Sequence, residues 1–154
     1  MTVEVREARD ADAGQIAEIV ADVLSGPDPV GFEESLTPEQ VREWRRRQGE
    51  FGALLVAEED GRIVGFASVD FDSAMPRDCS FGAWVRRDSR RRGVATALAE
   101  RALAFARERG YRRIRGRLPE HNEAALSFLS SVGPLVPLQN PGASFLLPIE
   151  EGRA

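Results

Sequence analysis

The stretch VRRDSRRRGVATAL, residues 85–98, places five arginines ahead of a glycine and a run of small apolar residues. The pattern predicts a strand that ends at Val85, a loop, and a helix that begins near Gly93. A helix N-terminus presents free backbone N–H groups and a partial positive charge, which suits phosphate. Gly93 lets a ligand approach the backbone closely, and Ala95 is nearly as small. These residues predict a compact anion site at the start of the helix.

The distribution of charge favours one anionic ligand over general polyanion binding. The net charge is −4, and all 21 basic residues are arginine. Residues 86–117 carry 12 arginines and three acids, a local excess of nine positive charges, whereas the rest of the chain is strongly acidic. Nucleic-acid binding through these arginines is opposed by the overall negative charge and by the absence of interleaved aromatic residues. We therefore expect no nucleic-acid partner.

Two well-known phosphate-binding loops do not fit this stretch. A Walker A loop requires a lysine, and the chain contains none. A dinucleotide-binding loop requires three glycines in register, and only Gly93 is present here.

Side chains for acid–base chemistry are less clearly marked. The candidates are carboxylates near the ends of predicted strands or in the first long loop: Asp70, Asp72, Asp78, Glu33 and Glu34. Of these, we take Asp72 and Asp78 as the candidate catalytic bases. The single histidine, His121, is more typical of a helix cap or an exposed position. One histidine and one cysteine, far apart, predict no metal site.

The elements that must position these residues predict one domain, 1–154, with mixed α/β architecture. In the second strand of a predicted hairpin, alternation places Ile63, Ala67 and Val69 on one face. In chain order the predicted elements are a strand over 2–8, a helix capped by Asp10 over 11–25, a helix capped by Thr37, a hairpin that turns at Asp60-Gly61, a strand over 79–85, a helix over 93–110, a strand over 111–118, a helix over 122–132, and strands over 134–138 and 144–149.

Two motifs within this order of elements resemble the GCN5-related N-acetyltransferase (GNAT) family. The first is R-x-x-G-x-A, which reads from Arg90 to Ala95 and begins five residues after Val85. The second begins about 30 residues later and is matched by Asn122, Ala125, Phe128 and Gly133. Each motif alone is weak, but two at the right separation, inside the right order of elements, are specific.

The resemblance implies a splayed central sheet of six to seven strands with helices on both faces, an α/β (α+β) fold. It also implies acetyl-CoA as co-substrate and no metal. The implied contacts to the diphosphate are backbone amides of Arg90, Arg91, Arg92, Gly93, Val94, Ala95 and Thr96. Trp84 and Val85 are expected to bind the pantetheine arm, and Asn122 and Phe128 to contact the arm or its sulfur end.

The implied reaction is direct attack of an amine, on a small molecule or a peptide N-terminus, on the thioester of acetyl-CoA. Many relatives place a tyrosine after the second-motif phenylalanine to protonate the departing thiolate, and here that position is Leu129. The general acid is therefore unassigned. This substitution motivates an alternative, a non-catalytic acyl-CoA-binding sensor or partner module. We expect a cytoplasmic monomer or homodimer without a membrane partner, since no apolar run is long enough to span a bilayer.

Overall fold

The computed structural model describes residues 2–26, 32–90, 92–118, 136–137 and 143–149. Within these ranges it contains three α-helices, two short 3-10 helices and seven strands. In chain order they are β1 (Glu4–Glu7), a 3-10 helix (Asp10–Asp12), α1 (Ala13–Leu24), α2 (Pro38–Gln48), β2 (Ala53–Glu59), β3 (Arg62–Phe71), β4 (Asp78–Val85), a second 3-10 helix (Arg87–Ser89), α3 (Val94–Glu108), β5 (Arg113–Leu118), β6 (Val136–Pro137) and β7 (Ala143–Pro148).

The seven strands form one mixed sheet in the order β1-β2-β3-β4-β5-β7-β6. Helix α3 packs on one face of the sheet, over a core that includes Leu55, Phe81 and Leu98. Helices α1 and α2 cover the other face, over a core centred on Ile19 and Phe66. The predicted mixed sheet with helices on both faces is confirmed.

Strands β4 and β5 are the parallel pair of the sheet, and they separate before β4 ends. The pairing runs from Asp78 opposite Arg113 to Gly82 opposite Arg117. Beyond Gly82, β4 continues to Val85 alongside β3 alone, while β5 continues to Leu118 alongside β7. The sheet is therefore splayed between these two strands, as the resemblance implies.

The start of α1 differs from the prediction that Asp10 caps it. Asp10–Asp12 form a 3-10 turn, and α1 begins at Ala13. The carboxylate that holds this turn belongs to Asp12, which accepts 2.7 Å and 2.8 Å hydrogen bonds from the Arg9 backbone N–H and the Arg6 guanidinium. The bond from Arg6 lowers the pKa of Asp12. The prediction is wrong because the Asp12 carboxylate binds the backbone N–H of Arg9 within the turn, whereas the Asp10 carboxylate pairs with Arg45 on α2.

Other local signals in the N-terminal half are confirmed. Thr37 caps α2 through a capping box with Gln40, with bonds of 3.1 Å and 2.8 Å. Asp60 and Gly61 both have positive φ, 52° and 79°, as a two-residue hairpin turn requires. The predicted common face of Ile63 and Ala67 is wrong, however.

A bulge near the start of β3 explains this error. Ala57 pairs with Gly65 and Glu58 pairs with Ile63, so Val64 is the extra residue. The extra residue shifts the alternation by one. Ile63 consequently packs with the core under α1 and α2, whereas Ala67 packs under α3.

The described residues contain neither a membrane-spanning helix nor a metal-binding cluster. None of the helices among them has the length and apolar character needed to cross a bilayer. Within the same ranges, no group of three or more histidine, cysteine, aspartate or glutamate side chains is arranged to hold a metal ion. The helix predicted over 122–132 lies outside the described residues.

Candidate functional site

The first turn of α3 exposes the backbone groups that the anion site requires. Gly93 precedes the helix with φ 83°, and no side chain caps the turn. The first bond inside the helix runs from the Ala97 N–H to the Gly93 carbonyl, 3.0 Å. The N–H groups of Val94, Ala95 and Thr96 therefore precede the hydrogen-bonded ladder. A Cβ added at Gly93 would meet no atom of the described residues within 4 Å, so these residues leave room beside the first turn.

The arginines around this turn are largely tied to the protein itself. The Arg86 guanidinium donates to Glu18 on α1 at 2.9 Å, and Arg87 donates to Ser25 at 3.0 Å. Arg92 forms an ion pair with the buried Glu59 on β2. Guanidinium groups that are already paired inside the fold are less free to follow a ligand. The backbone amides are thus the main ligand-facing donors of this region, and Arg91 lies outside the described residues.

The end of β4 provides a second set of main-chain groups beside the same turn. Arg86 N–H bonds the Val64 carbonyl of β3 at 2.8 Å, and Val85 pairs with Gly65. Because bonded and non-bonded pairs alternate along an antiparallel ladder, the main-chain groups of Ala83 and Val85 point away from β3. They face the gap that opens where β5 diverges. None of the described strands pairs with these groups, so an extended chain laid in this gap could bond to donors and acceptors of β4.

The same alternation sets the direction of the main-chain groups of Trp84, whose predicted contact with the pantetheine arm stays a prediction. Its N–H and carbonyl face Phe66 on β3, so they are not available to an arm lying in the gap. Ala83, two residues before Val85, takes that place. The Trp84 side chain instead projects onto the α2 face of the sheet, where its ring lies over Gly82. A Cβ on Gly82 would come within 2.4 Å of the indole, so this position requires glycine for the observed ring placement.

Four rings form a continuous cluster on the α2 face, which we call the aromatic cluster. Its members are Phe32, Trp44, Phe66 and Trp84. The Trp84 ring stacks on Phe66 with centroids 4.9 Å apart, and Phe32 lies 4.9 Å from Trp84 and 6.1 Å from Trp44. The cluster therefore connects helix α2 with β4 at the residue where β4 and β5 separate.

A cavity of about 850 Å³ lies beside the aromatic cluster, between α2 and the end of β3, and we call it the α2–β3 cavity. It is lined by Phe32, Leu36, Gln40, Glu43, Trp44, Arg47, Gln48, Gly49, Glu50, Phe51, Asp70 and Phe71.

Asp70 is the organising polar group of the α2–β3 cavity. Its Oδ1 accepts hydrogen bonds from Trp44 Nε1 at 3.2 Å and from Gln48 Nε2 at 3.0 Å. Gln48 also donates to the carbonyls of Ala53 and Val69. The amide is thus oriented by three acceptors, and Asp70 is fixed against α2.

The two candidate bases occupy other positions. Asp72 follows the end of β3, and its Oδ1 accepts a 2.9 Å bond from the Ala74 N–H within a turn. Asp78 begins β4 with a side chain only 2% exposed, ion-paired to Arg113 at 2.7 Å and to Arg115 at 3.5 Å. These contacts suit a structural carboxylate for Asp78 and a turn-forming one for Asp72. Their catalytic role stays a prediction.

The other acid–base candidates are placed as follows. Glu33 and Glu34 are exposed in the loop that leads to α2. His121, Asn122, Phe128 and Leu129 lie outside the described residues.

Burial raises the pKa values of two groups and keeps both protonated at neutral pH. Burial raises the pKa of the Cys79 thiol to about 12, so a thiolate nucleophile is not available there. Burial also raises the pKa of Tyr111 to about 12, and its hydroxyl donates a 2.6 Å bond to the Phe51 carbonyl. This bond holds the Tyr111 hydroxyl against the loop before β2.

The sequence analysis did not single out Trp44, Gln48 or Phe51 as site residues. The signal for Trp44 was its helical spacing, which is equally typical of a core residue. Nothing local in the sequence links Gln48 with Asp70, because the two residues meet only when α2 packs across the end of β3.

Comparisons with known proteins are consistent with this geometry. Residues 17–133 match the family model described as "Acetyltransferase (GNAT) family". A search of curated protein sequences found no match.

Solved structures give fold-level similarity over nearly the whole chain. An N-acetyltransferase from Staphylococcus aureus Mu50 has 22% identity and a TM-score of 0.80, covering 97% of this chain and 100% of its own. A phosphinothricin acetyltransferase from Sinorhizobium meliloti in complex with AcCoA has 20% identity and a TM-score of 0.79, covering 99% and 91%. A GCN5-related N-acetyltransferase from Kribbella flavida has 25% identity and a TM-score of 0.72, covering 94% and 95%.

Proposed function

The chain belongs to the acetyltransferase (GNAT) family, and on that premise we propose that it is an N-acetyltransferase that moves an acetyl group from acetyl-CoA to an amine. The observation that carries the proposal is the continuity of two main-chain surfaces. The open edge of β4 at Ala83 and Val85 leads directly to the uncapped first turn of α3. Together they offer a place for an extended arm that ends in a diphosphate.

The fit of acetyl-CoA rests on the residues of that surface. The amides of Val94, Ala95 and Thr96 would hold the diphosphate, since helix N-termini favour anions. Open space in front of Gly93 leaves room for the phosphates. The pantetheine arm would then pair with Ala83 and Val85 in the gap between β4 and β5. Asn122 and Phe128 remain expected contacts of the arm.

The chemistry required of the protein is modest. The amine nitrogen attacks as the free base and forms a bond to the thioester carbonyl carbon, the C–S bond breaks, CoA leaves as the thiolate, and the proton lost from the nitrogen passes to solvent water. A backbone N–H of Ala83 or Val85 is positioned on the gap side, where it can stabilise negative charge that develops on the carbonyl oxygen. With a thiol pKa of about 8.5, CoA is a fair leaving group without full protonation. A tyrosine at position 129 is therefore not essential to the proposal.

The first test is ligand-dependent stability. Acetyl-CoA at about 100 times its Kd should stabilise the fold by about 2.7 kcal/mol. For a domain of this size that corresponds to a rise in Tm of roughly 5–11 °C in thermal denaturation. No rise at millimolar acetyl-CoA in a folded sample would contradict the proposal.

The second test separates transfer from binding. Release of CoA thiol is followed with acetyl-CoA and a broad panel of amines, and product is identified by mass spectrometry. Because the chain contains no lysine, acetylation of its own lysine side chains cannot contribute background. A rise in Tm with acetyl-CoA but no thiol release with any amine would instead favour the non-catalytic acyl-CoA-binding module.

A further inference from the structure

The α2–β3 cavity is aligned with the point where the sheet splays. Asp70 pairs with Ser80 on β4, two residues before Gly82, the last β4 residue that pairs with β5. Side chains alternate along strands, so Asp70, Ser80 and Gly82 share the α2 face of the sheet. Trp84 covers Gly82 on that face and contacts Phe32, which lines the cavity. Phe32 and Trp84 therefore connect the cavity with the part of β4 where β5 diverges.

The charge of the cavity lining is negative. Among the described residues that line it, the charged side chains are those of Glu43, Glu50 and Asp70 and of one cation, Arg47. Glu43 also forms a 2.7 Å ion pair with Arg46 on the helix surface. Arg113 and Arg115 share the same face of the sheet outside this lining, where they share the one carboxylate of Asp78, and the Nε of Arg115 has no hydrogen-bond partner among the described residues. The cavity itself therefore provides acceptors for a cation and one exposed cation for an anion.

A buried hydrogen-bond acceptor of Gln48 also favours a ligand that carries N–H groups. Gln48 is 8% exposed, and its Oε1 has no hydrogen-bond partner among the described residues. The three bonds donated by its Nε2 fix the amide orientation, so this oxygen cannot be exchanged for the nitrogen by a flip of the side chain. A buried acceptor without a partner costs about 1–3 kcal/mol. A ligand N–H that reached Gln48 would remove this cost.

Aromatic rings complete a surface suited to a cation. Phe32 and Trp44 border the cavity on one side, and Phe51 and Phe71, with centroids 5.9 Å apart, border it on another. Phe51 and Phe71 are 51% and 46% exposed, unusually high for large apolar side chains. Ring faces attract ammonium groups and also bury apolar carbon.

We propose that the α2–β3 cavity is the acceptor site and that it selects cationic amines with an apolar body and no carboxylate or phosphate group. The proposal rests on the proposed acetyl-transfer function, whose acceptor class it narrows. Asp70 receives the ammonium or amine N–H groups, and the rings hold the carbon skeleton. An acceptor with an acidic group would place that charge against Asp70, Glu43 and Glu50.

The experiment compares amines that differ by one carboxylate. Binding of tyramine against tyrosine, and of cadaverine against lysine, is followed by intrinsic fluorescence in the presence of CoA. Both tryptophans of the chain belong to the aromatic cluster, so the signal reports this site directly. We expect the decarboxylated member of each pair to bind at least about tenfold more tightly, the value of one charge-assisted contact. Equal or tighter binding of the amino acids would overturn the proposal.

A variant pair assigns the effect to Asp70. Asp70→Asn keeps an oxygen for Trp44 and Gln48 but removes the charge, and it should weaken tyramine binding about tenfold or more. Binding of tyrosol, the uncharged alcohol of the same skeleton, should stay within twofold. Asp60→Asn, a charge-matched control in the β2–β3 turn, should change neither. An equal loss for tyramine and tyrosol would overturn the charge-based selection.

Thiol release keeps the two proposals separable. Selective amine binding without CoA release would support the selectivity of the cavity for amines, but it would contradict acetyl transfer and therefore the role of the cavity as an acceptor site. CoA release with tyrosine or lysine, but not with tyramine or cadaverine, would support acetyl transfer and contradict the proposed acceptor class.

Discussion

The α3 turn and the α2–β3 cavity lie on opposite faces of one sheet, and the first is built from main-chain groups whereas the second is built from side chains. The α3 turn is made of backbone N–H groups, one glycine at φ 83° and the open edge of β4. The α2–β3 cavity is made of side chains from α2, the loop after it and the end of β3. A main-chain site depends on conformation and tolerates many side chains, whereas a side-chain site changes with each substitution. The first is suited to a ligand common to a family and the second to a ligand particular to one member.

The largest effect should come from closing the main-chain site. Gly93→Glu places bulk and negative charge in the open space before the α3 amides, and we expect acetyl-CoA affinity to fall by about 10–100-fold or more. Isothermal titration with acetyl-CoA measures the loss. Gly110→Glu is the matched control, because Gly110 also has positive φ, 84°, but lies at the opposite end of α3. Equal losses for both variants would show that backbone strain, not the site, is responsible.

Asp78→Asn tests whether a predicted base belongs to the scaffold. The substitution leaves Arg113 and Arg115 without their buried counter-charge, and we expect the free energy of unfolding to fall by about 2 kcal/mol, an amount limited by the exposure of the two arginines. Urea denaturation measures it. Asp72→Asn keeps the turn oxygen and should stay within about 0.5 kcal/mol. If Asp78→Asn instead abolishes turnover at unchanged stability, Asp78 is the base and the side-chain site extends to β5.

Gly82→Ala probes the residue where the two sites meet. Its Cβ would displace the Trp84 ring, so we expect a shift in tryptophan emission and a loss of about 1 kcal/mol in stability. Gly14→Ala, at a helical position with nothing within 4 Å, should instead stabilise by roughly 0.5–1 kcal/mol. An unchanged emission spectrum in Gly82→Ala would contradict the described contact.

The smallest effect is expected at Cys79. Because burial raises the pKa of its thiol to about 12, iodoacetamide at pH 8 should alkylate the folded protein slowly and leave thiol-release activity unchanged. Rapid inactivation that acetyl-CoA prevents would place a reactive thiol at the main-chain site and break the contrast between the two regions.

The contrast also explains what the sequence could predict. Gly93, the Thr37 capping box and the Asp60-Gly61 turn are specified by residues within a few positions of one another, and these elements are confirmed. The bulge at Val64 depends on the pairing of β3 with β2. Whether Asp12 or Asp10 holds the turn before α1 depends on the residues that each carboxylate contacts. The Asp70–Gln48 contact requires the packed position of α2. Features that are set by neighbouring residues could therefore be predicted from the sequence, whereas contacts between distant segments could not.

The short parallel pairing of β4 with β5 has a consequence for the motions of the sheet. Strands β1 to β4 form one continuous antiparallel leaf, and β5, β7 and β6 form another. Among the described strands, only the five residue pairs between β4 and β5 join the two leaves. A substrate arm that pairs with Ala83 would extend the contact between the two leaves. We therefore expect that, with the arm bound, the two leaves open together in local unfolding. In hydrogen exchange, the amides of Ala83 and Val85 would then pass from the fastest class within β4 to the slowest.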